Sequence, residues 1–175
     1  LVVELVTQAD ADDRPAGIWR TWHADGSLHS EGAYAERSGD DPAKPVGPWT
    51  TWSAEGKKLS EGRFVNGEKD GPWQRFWPDG TPRSRGLHAA GTPIGKWTTW
   101  HENGEKESEG IWSDGKREGR WTEWYPTGRR RSQGSYRAGE AVGDWTRWYP
   151  DGQVQLATRE YGKDGRTIRE VETFY

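Results

Sequence analysis

The stretch Gly95–Gly119 reads GKWTTWHENGEKESEGIWSDGKREG. It sets Trp97 and Trp100 three residues apart and surrounds them with Glu, Lys and Gly, with almost no aliphatic side chains. The arrangement recurs as GPWTTWSAEGKKLSEGRFVNGEKDG from Gly47, GPWQRFWPDGTPRSRGLHAAGTPIG from Gly71, GRWTEWYPTGRRRSQGSYRAGEAVG from Gly119 and GDWTRWYPDGQVQ from Gly143. Successive starts lie 24 residues apart. A sixth copy, GIWRTWHADGSLHSEGAY, starts at Gly17 and meets the next start six residues late. Self-similarity at a fixed period marks a repeat architecture.

Each copy reads G-x-W-x-x-[WF], then three residues and a Gly. The turn pairs are Asp25-Gly26, Glu55-Gly56, Asp79-Gly80, Asn103-Gly104, Thr127-Gly128 and Asp151-Gly152. Asp-Gly and Asn-Gly between short aromatic runs signal a hairpin, and the two-residue form requires positive φ at both central residues. A second strand follows with Ser-Glu-Gly-x-aromatic: Ser30-Glu31-Gly32 with Tyr34, Ser60-Glu61-Gly62 with Phe64, and Ser108-Glu109-Gly110 with Trp112. The fifth copy keeps Ser132, Gly134 and Tyr136, and the third keeps Ser84 and Gly86 but places His88 at the aromatic position. A second Gly turn, at Gly67, Gly91, Gly115 and Gly139, leads to the next copy.

The pattern predicts an all-β fold: an elongated single antiparallel meander sheet of about six stacked 24-residue β-hairpin repeats with terminal cap strands. At about 4.8 Å per strand, six hairpins span roughly 58 Å. Helix is nearly excluded, because apolar spacing never sustains a 3.6-residue period and Gly or Pro recurs throughout. Residues 1–175 read as one repeat domain, with an N-terminal cap over 1–16, six repeats over 17–160, an insertion at 35–46 and a C-terminal cap over 161–175. The apolar Leu1–Val6 suggests a leading strand, and Leu156–Tyr175 a shortened last hairpin through Lys163-Asp164-Gly165.

Strand alternation sends Trp97 and Trp100 to opposite faces. Trp19, Trp49, Trp73, Trp97, Trp121 and Trp145 then form one column, and Trp22, Trp52, Phe76, Trp100, Trp124 and Trp148 another. The side-chain-free Gly32, Gly62, Gly86, Gly110 and Gly134 leave room for a ring from the neighbouring strand.

Composition agrees with a thin core. Only 30% of residues are hydrophobic, yet there are 13 Trp, and mean hydropathy is −1.14. Aromatic rings each bury a large area and replace the usual aliphatic core. Net charge is −3, so no basic excess points to nucleic acid. The run Arg129-Arg130-Arg131 reads as a solvated strand start. With no Cys, disulfides and thiolate metal sites are excluded. No apolar run is long enough for a membrane-spanning helix. The chain begins at Leu1 with no Met, so a signal peptide or lipid anchor would lie upstream.

No catalytic constellation emerges. Gly110–Lys116 spells G-x-x-x-x-G-K, but Arg117 stands where a P-loop needs Ser or Thr, and no strand-loop-helix surrounds it. His23 and His101 share a repeat position three repeats apart, too far to share a metal. The repeated serines belong to the pattern rather than to a nucleophile site. The expectation is therefore no enzyme, no metal and no cofactor.

Functional information sits where the scaffold repeats but the residue does not. The position after the second aromatic holds His23, Ser53, Trp77, His101, Tyr125 and Tyr149. Two residues earlier stand Thr21, Thr51, Arg75, Thr99, Glu123 and Arg147. Alternation puts both sets on one face. Aromatic residues and Arg are enriched at interface hot spots. The candidate partner-binding residues are Arg75, Trp77, His101, Glu123, Tyr125, Arg147 and Tyr149, with Asp40 and Asp41 from the insertion suited to a basic partner. The alternative is that the rings widen the core and the charges are solvated.

The unit G-x-W-x-x-W/Y-x-x-x-G…E-G-x-Y-x-x-G-x-x-x-G resembles the bacterial variant of the MORN repeat, from Gly17 to about Tyr161. Chains of this kind are similar to the YwqK-family antitoxins. The resemblance implies stacked hairpins, no catalysis and no cofactor. It also implies a protein toxin or effector as partner, neutralised by binding, with the chain a monomer or weakly self-associating. Trp-x-x-Trp replaces the Tyr-x-Gly of eukaryotic MORN repeats, which weakens any transfer of lipid binding. Trp-rich hairpins also resemble choline- and glucan-binding repeats. An envelope module binding glycan, a choline-like ligand or lipid, or a structural scaffold, is therefore the alternative. A bacterial location is expected, with cytoplasm, periplasm and envelope all open.

Overall fold

Each Trp-Gly repeat folds as two strands joined by a tight turn. The computed structural model describes the backbone of residues 3–6, 17–35, 44–151, 156–161 and 167–173, and side chains over 17–35 and 44–151. The strands are β1 (Val3–Val6), β2 (Gly17–Trp22), β3 (Leu28–Tyr34), β4 (Pro45–Trp52), β5 (Lys58–Val65), β6 (Glu68–Phe76), β7 (Pro82–Ala89), β8 (Thr92–Trp100), β9 (Lys106–Ser113), β10 (Lys116–Trp124), β11 (Arg130–Arg137), β12 (Glu140–Arg147), β13 (Leu156–Tyr161) and β14 (Thr167–Thr173). They pair in chain order as an open antiparallel meander. Eleven of them, β2 to β12, have their side chains described. No helix occurs among the described residues.

The chain packs as two compact units, Leu1–Pro82 with Leu87–Thr92, and Arg83–Gly86 with Pro93–Tyr175. In the first, β1 pairs with β2, Val6 opposite Trp19, as expected of a leading strand. In the second, β13 pairs with β14, Leu156 opposite Thr173. The turn Lys163-Asp164-Gly165 and the insertion residues 36–43 lie outside the described residues.

The Asp-Gly turn differs from the expectation. At Asp25-Gly26 only Gly26 has positive φ, at 86°. Gly26 N–H donates to the His23 carbonyl at 3.0 Å and His23 N–H to the Ser27 carbonyl at 2.9 Å. These bonds close a three-residue loop ending in a left-handed Gly. Asp25 braces it, its Oδ1 accepting from Ser27 N–H at 2.9 Å and Ser27 Oγ at 2.7 Å. The two-residue turns with both φ positive stand at the other end of the hairpins, at Asn66-Gly67, Ala90-Gly91, Asp114-Gly115 and Ala138-Gly139. Their Gly N–H groups tie repeats together: Gly67 donates to the Pro45 carbonyl, Gly91 to Lys69 and Gly139 to Arg117.

The Trp strand carries a bulge that builds the core. Between β3 and β4 the register passes from Glu31 opposite Thr50 to Ala33 opposite Val46. Gly47, Pro48 and Trp49 thus face Gly32 alone. The same slip sets Gly119–Trp121 against Gly110 and Gly143–Trp145 against Gly134. It lays each Trp ring on the Gly of the preceding repeat. A Cβ on Gly32 would stand 2.1 Å from Trp49, and one on Gly110 2.2 Å from Trp121. Gly62 with Trp73, Gly86 with Trp97 and Gly134 with Trp145 repeat the seat. Each indole N–H then donates to the carbonyl just past the Gly: Trp73 to Arg63 at 3.1 Å, Trp121 to Ile111 at 3.1 Å and Trp145 to Ser135 at 3.2 Å.

Second-strand aromatics interleave with this column. Trp19, Tyr34, Trp49, Phe64, Trp73 and His88 follow one another edge to face in the first unit. Trp112, Trp121, Tyr136 and Trp145 do so in the second. This arrangement suits the ring quadrupole. Trp73, Trp121 and Trp145 are the buried hydrophobic core among the described residues. The other aromatic set, from Trp22 to Trp148, is half-buried on the opposite face.

The Ser-Glu-Gly signature is now explained by position. Ser turns to the column face, where Thr21 and Ser30, Thr51 and Ser60, and Thr99 and Ser108 bond across the hairpin at 2.7–2.8 Å. Glu turns to the opposite face and meets a cation: Glu31 with Arg20, Glu61 with Lys58, and Glu109 with Lys96 and Lys106.

Candidate interaction surface

The stripe expected to bind a partner lies on the column face. The registers Trp19 opposite Gly32 and Thr21 opposite Ser30 fix this. Several of its members are held by the repeat itself. His23 Nε2 lies 3.0 Å from the Trp52 carbonyl, and His101 Nε2 2.9 Å from the Trp124 carbonyl. Tyr125 OH donates to the Trp148 carbonyl at 2.9 Å. The side chain after the second aromatic therefore stitches its repeat to the next. Ser53, at the same position, is buried.

In the second unit, β10 to β12 set Glu123, Ser132 and Arg147 in one cross-strand row. Glu123 Oε2 accepts from Ser132 Oγ at 2.5 Å and from an Arg131 guanidinium nitrogen at 3.0 Å. Arg147 is exposed. Tyr149, two residues further on, is 45% exposed. His101 and Tyr125 serve the stitches just described. In the first unit, Arg75 is exposed and Trp77 half-buried. Asp40 and Asp41 lie outside the described residues.

Sequence reasoning missed several contacts. Arg129 donates to the Pro150 and Asp151 carbonyls and Arg131 pairs with Glu123, so two of the three consecutive arginines are engaged rather than merely solvated. Arg129, Arg130, Trp148 and Asp151 line an open pocket of about 350 Å³. Lys69 Nζ lies 4.5 Å above the Trp73 ring, and the Arg117 guanidinium 4.6 Å above Trp121 and 5.2 Å from Tyr136. A cation four residues before the Trp was the available signal. His23 and His29 stack edge to face with centroids 4.7 Å apart. Among the described residues no group of three or more metal-ligating side chains converges.

Electrostatic perturbations are local. Hydrogen bonds from Ser27 hold Asp25 below its ordinary carboxylate range, and those from Thr81 do the same for Asp79. The Lys106 hydrogen bond, then Lys96, lowers Glu109. Burial, then Arg75, lowers the Lys69 ammonium. Burial, then Lys69 and Arg75, lowers His88.

A family model described as MORN repeat variant matches residues 93–114, 117–138 and 141–158. These segments coincide with the hairpins β8–β9 and β10–β11 and with the start of the next. In these segments the chain is similar to the MORN repeat variant, and repeats of that type generally mediate binding or scaffolding. The same ring-on-glycine seat at Gly32 and Gly62 shows one construction in the earlier repeats as well. No curated protein matches the chain.

Proposed function

We propose that the chain is a non-catalytic protein-binding scaffold that neutralises a cognate protein toxin. The observation that carries the binding reading is the exposure of Arg147 and Tyr149 in the second unit, and separately of Arg75 in the first, at repeat positions whose counterparts serve packing or stitching. Tyr and Arg at such places suit a protein partner, since both recur at interface hot spots. The toxin reading adds the resemblance of the repeat unit to bacterial antitoxins.

The test is co-expression with the product of the neighbouring reading frame, scored by growth and by co-purification at low and high salt. The expected result is a stoichiometric complex, with growth arrest when the partner is expressed alone. Arg147→Ala with Tyr149→Ala should weaken that complex at least about tenfold. The variant should keep stability within about 0.5 kcal/mol, because both side chains are exposed. A harmless neighbour that does not co-purify would refute the toxin reading and favour the glycan, lipid or scaffold alternatives.

A further inference from the structure

We propose that Lys69, Arg75 and His88 form a receptor for carboxylate side chains of an acidic peptide segment. Lys69 and Arg75 stand on β6, opposite Phe64 and Ser60 of β5, and both registers belong to the column face. Lys69 lies over the Trp73 ring at 4.5 Å. His88 packs edge to face on the same indole, centroids 6.1 Å apart. Arg75 follows Trp73 by two residues and so shares its face. Lys69 and His88 thus contact one buried Trp, and Arg75 stands two residues along the same face.

Among the described residues, neither Lys69 nor Arg75 has a carboxylate in ion-pair range. The nearby acids in this unit, Glu61, Glu68 and Asp70, occupy alternate positions that belong to the opposite face. The cations therefore act on one another. Lys69 and Arg75 both hold His88 below its ordinary value, after burial, and Arg75 depresses Lys69 in the same way.

The corresponding positions two repeats later supply the internal control. They hold Arg117, Glu123 and Tyr136. Arg117 lies over Trp121 and donates to Tyr136 OH at 2.9 Å. Glu123 is acidic and accepts from Ser132 and Arg131. There the acid is paired within the chain, and the cation over the Trp has a phenol oxygen to donate to. In β6 and β7 the acid is replaced by Arg75 and the phenol by His88, changes that packing around the Trp does not require. A carboxylate supplies the missing counter-charge, and the planar Arg75 fork can take it through two parallel hydrogen bonds.

This inference rests on the protein-binding reading, but its test needs no natural partner. The probe is a synthetic oligoglutamate peptide titrated into the intact chain at low salt, with the four His resonances followed by NMR across pH. Peptide binding should raise the His88 titration midpoint by about one unit, as a nearby opposite charge does, while His29 and His101 stay in place. Arg75→Glu, at an exposed position, should abolish the shift, and unchanged His23 and His29 resonances, from the same unit, will show that the variant is folded. No His88 response would overturn the proposal. So would a response to inorganic phosphate but not to the peptide, or an equal movement of all four His. A toxin partner found alongside a silent His88 would refute this receptor and leave the binding reading standing. The reverse outcome would separate them the other way.

Discussion

Replacing Gly110 by Ala tests the contact on which the core depends. The added Cβ would stand 2.2 Å from the Trp121 ring. Relaxed carbon contacts lie at about 3.5–4.0 Å, so the ring must retreat by roughly 1.5 Å. Trp121 is only 3% exposed and packs edge to face on Trp112 and Tyr136. A retreat of that size breaks its 3.1 Å bond to the Ile111 carbonyl, a loss of about 1 kcal/mol. Overpacking adds about 1–3 kcal/mol. Removing a strand Gly returns about 0.5–1 kcal/mol of backbone entropy. The net expectation is a loss of about 1–3.5 kcal/mol, read from urea unfolding followed by Trp fluorescence. Trp121→Ala alone should cost about 3–5 kcal/mol. In that background Gly110→Ala has no ring to displace and should be neutral or slightly stabilising, so the double-mutant cycle isolates the contact. A Gly110→Ala loss below about 1 kcal/mol, or the same loss with and without Trp121, would refute the ring-seat account.

Other consequences follow from single contacts. Ala90 and Ala138 hold φ of 45° and 51°, where a Cβ is disfavoured, so Asn at either should raise stability by about 0.5–1 kcal/mol. An unchanged urea midpoint would argue against that turn. Tyr125→Phe deletes the bond to the Trp148 carbonyl and should cost about 1 kcal/mol; no loss would mean that the stitch contributes nothing. Glu109 joins Lys96 and Lys106 at 3.1 and 2.9 Å on a partly exposed surface, so Glu109→Gln should cost about 0.5–1 kcal/mol near neutral pH. Because the fold lowers the Glu109 pKa below 4.5, that stabilisation is full above the unfolded value and is lost as pH falls through the folded one. The difference between wild type and Glu109→Gln should therefore close in acid, and a gap that persists there would refute the ion-pair account.

The hairpins were legible because Trp, Gly and the acidic turn residues recur at one period. The seating of rings on Gly was legible too, but not which Trp takes which seat. Gly32 is the Cα partner of Trp19 in its own hairpin, yet the ring lying on it belongs to Trp49. The slip over Gly47–Trp49 causes this, and simple alternation carries no sign of it. The Asp-Gly turn was misread for a related reason. Asp-Gly fits a two-residue turn and a three-residue loop equally well, and the bracing by Ser27 decides for the loop.

The candidate surface was half legible. Variation at a fixed repeat position was visible in the sequence. Its use for stitching was not, because His101 and Tyr125 bond to carbonyls 23 residues away. That geometry separates the remaining candidates. His23, His101 and Tyr125 each reach the carbonyl of the second Trp in the next repeat. Tyr149 holds the same position. It is also 45% exposed, unlike its half-buried or buried counterparts. Exposed Arg147 stands two residues away on the same strand path. At the last Trp strand, variation and exposure coincide at Arg147 and Tyr149, and there substitution can weaken a complex while leaving the fold intact.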